Sequence, residues 1–172
     1  TRPGVRLVTI TGLGGAGKTR LALEAARAVT AHFQHGVHYV PLDDISTADG
    51  LWARMIDSLA IPLDSRASPQ QTILAHLRRK EVLLLLDGFE QLLGLSFWIG
   101  ELLSQTESLR LLVTSRHALD LHAEHVLPIA GLGRDQATES PAYQLFIQAA
   151  RRRVPGYTPA PEETAAVLAI VE

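Results

Sequence analysis

The run Gly12-Leu13-Gly14-Gly15-Ala16-Gly17-Lys18-Thr19 matches the pattern G-x-x-x-x-G-K-[ST], and that pattern works in only one structural setting. Small residues let the backbone curl until successive N–H groups point inward at phosphate oxygens. The N-terminus of a following helix adds the positive end of its dipole. A lysine then reaches the outer phosphates as a mobile point charge, and a hydroxyl at the next position ligates a divalent cation. The loop therefore demands a strand before it and a helix after it. Both are written here: Val5 to Thr11 is short and β-branched, and Ala22, Ala25, Ala26 and Val29 recur at helical spacing from Lys18 onward. The motif thus predicts an α/β layered fold and the binding of a nucleoside triphosphate. The expected nucleotide-binding set is Gly12, Gly14, Gly15, Ala16, Gly17, Lys18, Thr19 and Arg20.

The rest of the chain keeps alternating strand and helix patterns. Val37 to Leu42 reads as a second strand and Leu51 to Leu59 as a helix. Ser68-Pro69-Gln70-Gln71 is a capping box with proline at the first helical position, opening a helix that runs to about Lys80. Val82 to Leu86 is an unbroken aliphatic run ending on Asp87, the pattern of a parallel strand buried on both faces. A helix is expected from Phe97 to Ser104, a fourth strand over Leu109 to Thr114, and a fifth over His125 to Ile129. Ser140-Pro141 repeats the cap grammar, and a last helix starts near Pro161 with Glu162 and Glu163 in its first turn. We divide the chain into a nucleotide-binding core, 1–134, and a C-terminal helical segment, 135–172.

An aspartate at the tip of a buried parallel strand can hold a metal-bound water beside such a loop, so Asp87 joins Thr19 as the expected Mg²⁺ pair. Leu109 to Thr114 leads into Ser115-Arg116, and an arginine there can hydrogen-bond a γ-phosphate.

Composition narrows the alternatives. Charged residues make up 20% and the formal net charge is −2, which argues against a general nucleic-acid binder. The runs Arg78-Arg79-Lys80 and Arg151-Arg152-Arg153 end helix-like segments, where cations complement the dipole. With no cysteine, there is no disulfide framework or thiolate site. No apolar run approaches the roughly 18 residues that span a bilayer, and a cytoplasmic location is the expectation. The evenly spaced His32, His35 and His38, and the group His117, His122 and His125, lack a completing carboxylate cluster and read as structural or exposed. Asp43-Asp44 reads as a turn, and Trp98 as core.

Three segments, LVTITGLGGAGKTRLALEAA, VLLLLDGFEQLL and LRLLVTSRHALDLHAEHVLPIAGL, together resemble the STAND class of signal-transducing P-loop NTPases. The likeness is to the NB-ARC-like ATPases of large bacterial transcription regulators. It implies a three-layer P-loop sandwich of about five mainly parallel strands, with the P-loop strand central and helices on both faces. It also implies a switch, in which an ADP-bound resting form exchanges to an ATP-bound form that self-assembles or signals with other domains of a longer chain. By position, Lys18 and Thr19 hold phosphates and metal, Asp87 serves the Mg²⁺, and Arg116 senses the γ-phosphate.

One departure bears on catalysis. Many relatives place Asp or Asn after the metal-binding Asp, where this chain has Gly88. Glu90 is the nearest replacement for an acid that orients the attacking water, so the catalytic set is Lys18, Asp87, Glu90 and Arg116, and hydrolysis is expected to be slow. The family's upstream Gly-Arg segment, downstream Gly-Leu-Pro segment and winged-helix domain are not in this sequence. The expectation is a core of a longer protein, with weakened affinity and poor discrimination among bases. Two other functions compete: an interaction module that keeps nucleotide without turnover, and a small-molecule kinase, for which no arginine-rich lid is found.

Overall fold

The structure is a computed structural model and describes residues 4–62, 67–130, 138 and 140–171. The described residues form two compact units that divide after Ile129. The boundary expected between residues 134 and 135 lies outside the described residues.

In the first unit, β1 (Leu7–Thr11) runs into the glycine loop and α1 (Lys18–Val29), followed by β2 (Val37–Pro41), α2 (Ala48–Ser58) and α3 (Pro69–Leu77). Then come β3 (Leu83–Asp87), a 3₁₀ turn over Phe89–Leu95, α4 (Ser96–Ser104), β4 (Arg110–Ser115) and β5 (Glu124–Pro128). All five strands are parallel, in the order β2-β3-β4-β1-β5. The P-loop strand is interior, paired on both sides, but the middle strand is β4, which corrects the expected central place of β1.

The aliphatic run of β3 is buried along its whole length because both faces are covered. Leu83 and Leu85 meet Ala22, Ala26 and Phe33 on the α1 side. Leu84 and Leu86 meet residues of α2, α3 and α4 on the other, including Met55, Leu77 and Ile99. The alternation is the pleat: successive side chains leave a strand on opposite faces. Ala22 and Ala26 let α1 lie close to the sheet, while Ala25 of the expected stripe is exposed and Leu23 packs in its place. Trp98 is buried against Trp52, their rings tilted at 57° with centroids 4.3 Å apart.

The second unit contains α5 (Pro141–Arg153) and α6 (Pro161–Val171). They share a small cluster of Tyr143, Ile147 and Val167. Ser140 caps α5 by accepting from the Tyr143 N–H at 3.2 Å.

Candidate functional site

The loop after β1 is shaped by its glycines. Gly12 has φ 154°, and a Cβ there would lie 2.5 Å from the carbonyl oxygen of Ile129, where the chain leaves β5. No side chain fits between the loop and the end of that strand. Gly17 sits in the left-handed region as the N-cap of α1, and its carbonyl accepts the Leu21 N–H at 2.9 Å to start the helix. With no side-chain cap on this end, the first-turn N–H groups of α1 remain available to an anion.

Lys18 folds back over the loop, its Nζ donating to the carbonyls of Gly12 and Leu13 at 2.9 Å each. These bonds park the ammonium at the loop, where it can exchange carbonyl partners for phosphate oxygens. A cleft of about 510 Å³ runs from the loop along the flank of α1 and is lined by Gly15, Lys18, Thr19 and Arg20, among others.

Asp87, the last residue of β3, is 1% exposed. Three hydroxyls from three elements donate to it. Thr19 Oγ1 of α1 and Thr114 Oγ1 of β4 reach Oδ1 at 2.8 and 2.5 Å. Tyr39 Oη of β2 reaches Oδ2 at 2.9 Å. Thr114 Oγ1 in turn accepts the N–H of Gly88 at 2.9 Å, which ties the turn after β3 to β4. Thr19 and Asp87, which the sequence reading pairs as a metal site, stand in contact. From the sequence alone, Tyr39 and the Thr114 hydroxyl have no role, because only the sheet register places them beside this carboxylate.

Gly88 has φ 83°, and a Cβ there would run into the Asp43 carboxylate, 3.0 Å from its Cγ and 3.2 Å from its backbone N. Asp43, read from the sequence as a turn residue, therefore stands against the end of β3. Burial pushes its carboxyl pKa up, and the charges of Asp87, Glu90 and Asp44 add to the shift. Burial also raises the Tyr39 phenol to about 12, reinforced by its bond to Asp87 and by the charge of Asp43. Carboxylates repelling one another around a hydroxyl and a buried Asp make a hard-oxygen environment that a cation would relieve. Thr19 Oγ1 and Asp87 fit a Mg²⁺ ion kept partly hydrated, as that ion prefers.

Glu90 lies in the 3₁₀ turn after β3, and its Oε1 pairs with Arg116 Nε at 3.3 Å. Its Oε2 is buried and finds no hydrogen-bond partner among the described residues. The Arg116 guanidinium also lies over the loop, with Nη2 3.9 Å from where a Cβ on Gly14 would stand. The two catalytic candidates that follow β3 and β4 thus hold each other next to the phosphate loop. Two of the histidines contact the scaffold: His35 Nδ1 accepts the Glu81 N–H at 3.0 Å, and the His38 ring lies 3.3 Å from the Ser58 carbonyl.

Comparison with known proteins bears on the family and the fold. The model of the NB-ARC domain matches residues 1–146. "Uncharacterized protein Rv0894" of Mycobacterium tuberculosis is 32% identical over 148 residues, which cover 86% of this chain and 37% of that protein. "Putative HTH-type transcriptional regulator Rv0890c" of the same organism is 31% identical over 164 residues, 94% of this chain and 18% of that one. The chain thus spans well under half the length of these relatives. Among solved structures, Cdc6p of Pyrobaculum aerophilum superposes with a TM-score of 0.63 at 18% identity, covering 88% of this chain and 45% of that one. The ORC2 protein of Aeropyrum pernix gives 0.56 at 15% identity, covering 85% and 45%. These two likenesses establish the fold: a P-loop NTPase α/β sandwich.

Proposed function

The chain belongs to the NB-ARC family of STAND-class P-loop NTPases, and from that premise we propose that it is the ADP/ATP switch of a larger regulator, hydrolysing ATP slowly with Mg²⁺. The observation that carries the reading is the meeting of Thr19 with Asp87 and of Arg116 with Glu90 at one loop. Lys18 exchanges the Gly12 and Leu13 carbonyls for the β- and γ-phosphates, while the loop N–H groups hold their oxygens. Thr19 presents its oxygen to the metal and keeps its proton for Asp87. Magnesium, when bound, neutralises charge on the outer phosphates and orders water beside them.

The switch lies in Arg116. In the structure its partner is a carboxylate; with ATP bound, the γ-phosphate offers a doubly charged competitor beside the loop. Arg116 moves to the phosphate and releases Glu90, so a ligand difference of one phosphoryl group changes which residues are paired. Such differential contact is what biases two conformations. Turnover is slow in this reading because Gly88 stands where relatives carry a second acid, which leaves Glu90 as the nearest group to orient the attacking water. Transcriptional regulation belongs to the longer protein in this reading, supported by a relative that carries the regulator name, and self-assembly in the ATP state would belong to it as well.

Calorimetric titration of ADP and of ATP with Mg²⁺ into the wild type, Lys18→Ala and Arg116→Ala tests it. Lys18→Ala should weaken both nucleotides by about 30-fold or more, the effect of stripping a charged partner from a bound anion. Arg116→Ala should leave ADP unchanged and lower the preference for ATP about tenfold. Phosphate release above the Lys18→Ala background should accompany binding. Equal nucleotide binding by Lys18→Ala would sink the whole reading, and an unchanged ATP preference in Arg116→Ala would sink the sensor.

A further inference from the structure

We infer that Tyr39 is a positioning residue for the metal site, its hydroxyl holding Oδ2 of Asp87, the oxygen that Thr19 and Thr114 do not reach, so that the carboxylate meets the cation in one orientation. The inference rests on the nucleotide and magnesium reading above and extends it to a strand that no part of the loop motif includes.

The argument is one of hydrogen-bond accounting at a single carboxylate. Asp87 is buried, and its Oδ1 accepts from Thr19 and Thr114. Those two bonds converge on the same oxygen, so on their own they leave Oδ2 of a buried carboxylate without a donor. Tyr39 Oη, 2.9 Å from Oδ2, supplies the third point. Three donors from α1, β2 and β4 then hold both oxygens of the group.

The sheet register explains why tyrosine can do this. Tyr39 pairs with Leu85, and Pro41 with Asp87. Position 39 therefore lies on the Asp87 face of the sheet, two residues short of it, since paired and alternate residues share a face. A short hydroxyl side chain at position 39 would not reach, whereas the ring carries its hydroxyl to the carboxylate through only two rotatable side-chain bonds. The ring itself is 41% exposed at the sheet edge, so it is not placed there to fill the core. Its polar contact is the carboxylate.

Partners that orient a ligating group, without touching the metal, typically change metal affinity 10- to 100-fold when removed. Tyr39→Phe keeps the ring and deletes only the hydroxyl. The experiment titrates MgCl₂ into the wild type and Tyr39→Phe at a fixed concentration of fluorescent ADP, and measures ADP binding in excess EDTA in parallel. Lys18→Ala serves as the control for loop-dependent binding. The expected result is a Mg²⁺ half-saturation raised about tenfold in Tyr39→Phe, with the affinity in EDTA unchanged within about twofold. A merely structural role would lower both affinities together, and that result would overturn the inference. So would an identical Mg²⁺ half-saturation in the two proteins, or a wild type whose Lys18-dependent binding ignores Mg²⁺. If the wild type binds no better than Lys18→Ala, the functional reading itself has failed, and this inference with it.

Discussion

Gly88 holds a left-handed conformation, φ 83°, with the Asp43 backbone N 3.2 Å from where a Cβ would be placed. The end of the Asp43 side chain can swing aside, but its backbone cannot, and an L-residue at this φ costs roughly 1–2 kcal/mol before any contact is counted. Gly88→Ala should therefore destabilise the protein by about 2 kcal/mol in chemical denaturation. Gly94 is the control, since nothing lies within 4 Å of a Cβ there and its φ is ordinary. Gly94→Ala should be neutral or stabilising by a few tenths of a kcal/mol, through the unfolded chain. Equal losses in the two variants would show that the turn after β3 tolerates a side chain. The same residue marks the limit of what could be read in advance. From the sequence, Gly88 registers only as a missing acid. That the space beside it is taken by Asp43 depends on how β2 ends next to β3, a non-local fact that motif spacing does not carry.

At the scale of elements, local chemistry decided what could be read. α3 is nine residues long, too short to hold itself by propensity, and its start is set by a reciprocal cap. Ser68 Oγ accepts the Gln71 N–H at 3.2 Å and Gln71 Oε1 accepts the Ser68 N–H at 3.1 Å. Every group in that box is specified within four residues, so the sequence shows it in full. Ser68→Ala should cost about 1 kcal/mol, measured as a lowered denaturation midpoint with an unchanged slope; no loss would mean that packing of Ile73 and Leu77 sets the start of α3. The start of α2 was less legible. Its first turn, Ala48-Asp49-Gly50, carries no apolar period, and a glycine there disfavours helix. Tertiary crowding explains the glycine: a Cβ on Gly50 would lie 3.0 Å from Ile45 Cγ2 and 3.1 Å from Thr47 Oγ1, the oxygen that caps the helix. The 3₁₀ turn that carries Glu90 was missed for a related reason, since periodicity distinguishes helix from strand and says little about tighter turns.

For the whole molecule, sequence pattern placed the strands, and the family resemblance implied their mainly parallel sense, but neither supplied their order. β1 and β4 both read as buried apolar runs, and only pairing shows that β4, not the P-loop strand, lies in the middle. That order puts the ends of β1, β3 and β4 side by side, which is why Thr19, Asp87, Thr114 and Arg116 converge although the motif alone supplies only the first. All of these, with Tyr39 and Glu90, belong to the first compact unit. The second unit is small, with a core of Tyr143, Ile147 and Val167 and a few flanking apolar residues, an amount of burial that gives a helical pair marginal stability by itself. Ligand stabilises only the part of a protein that forms its site. Scanning calorimetry should therefore resolve a transition for the sheet unit that rises with Mg²⁺ and ADP, and a weaker one for α5 and α6 that does not. At a nucleotide concentration about 100 times Kd the gain is about 2.7 kcal/mol, on the order of 10 °C for a unit of this size. In Lys18→Ala, with affinity lowered about 30-fold, the gain at the same nucleotide concentration should fall to about 0.9 kcal/mol, roughly a third of the wild-type shift. A single transition that moves as one with nucleotide would mean that α5 and α6 unfold with the sheet, and the switch would then have to be sought in the two units together.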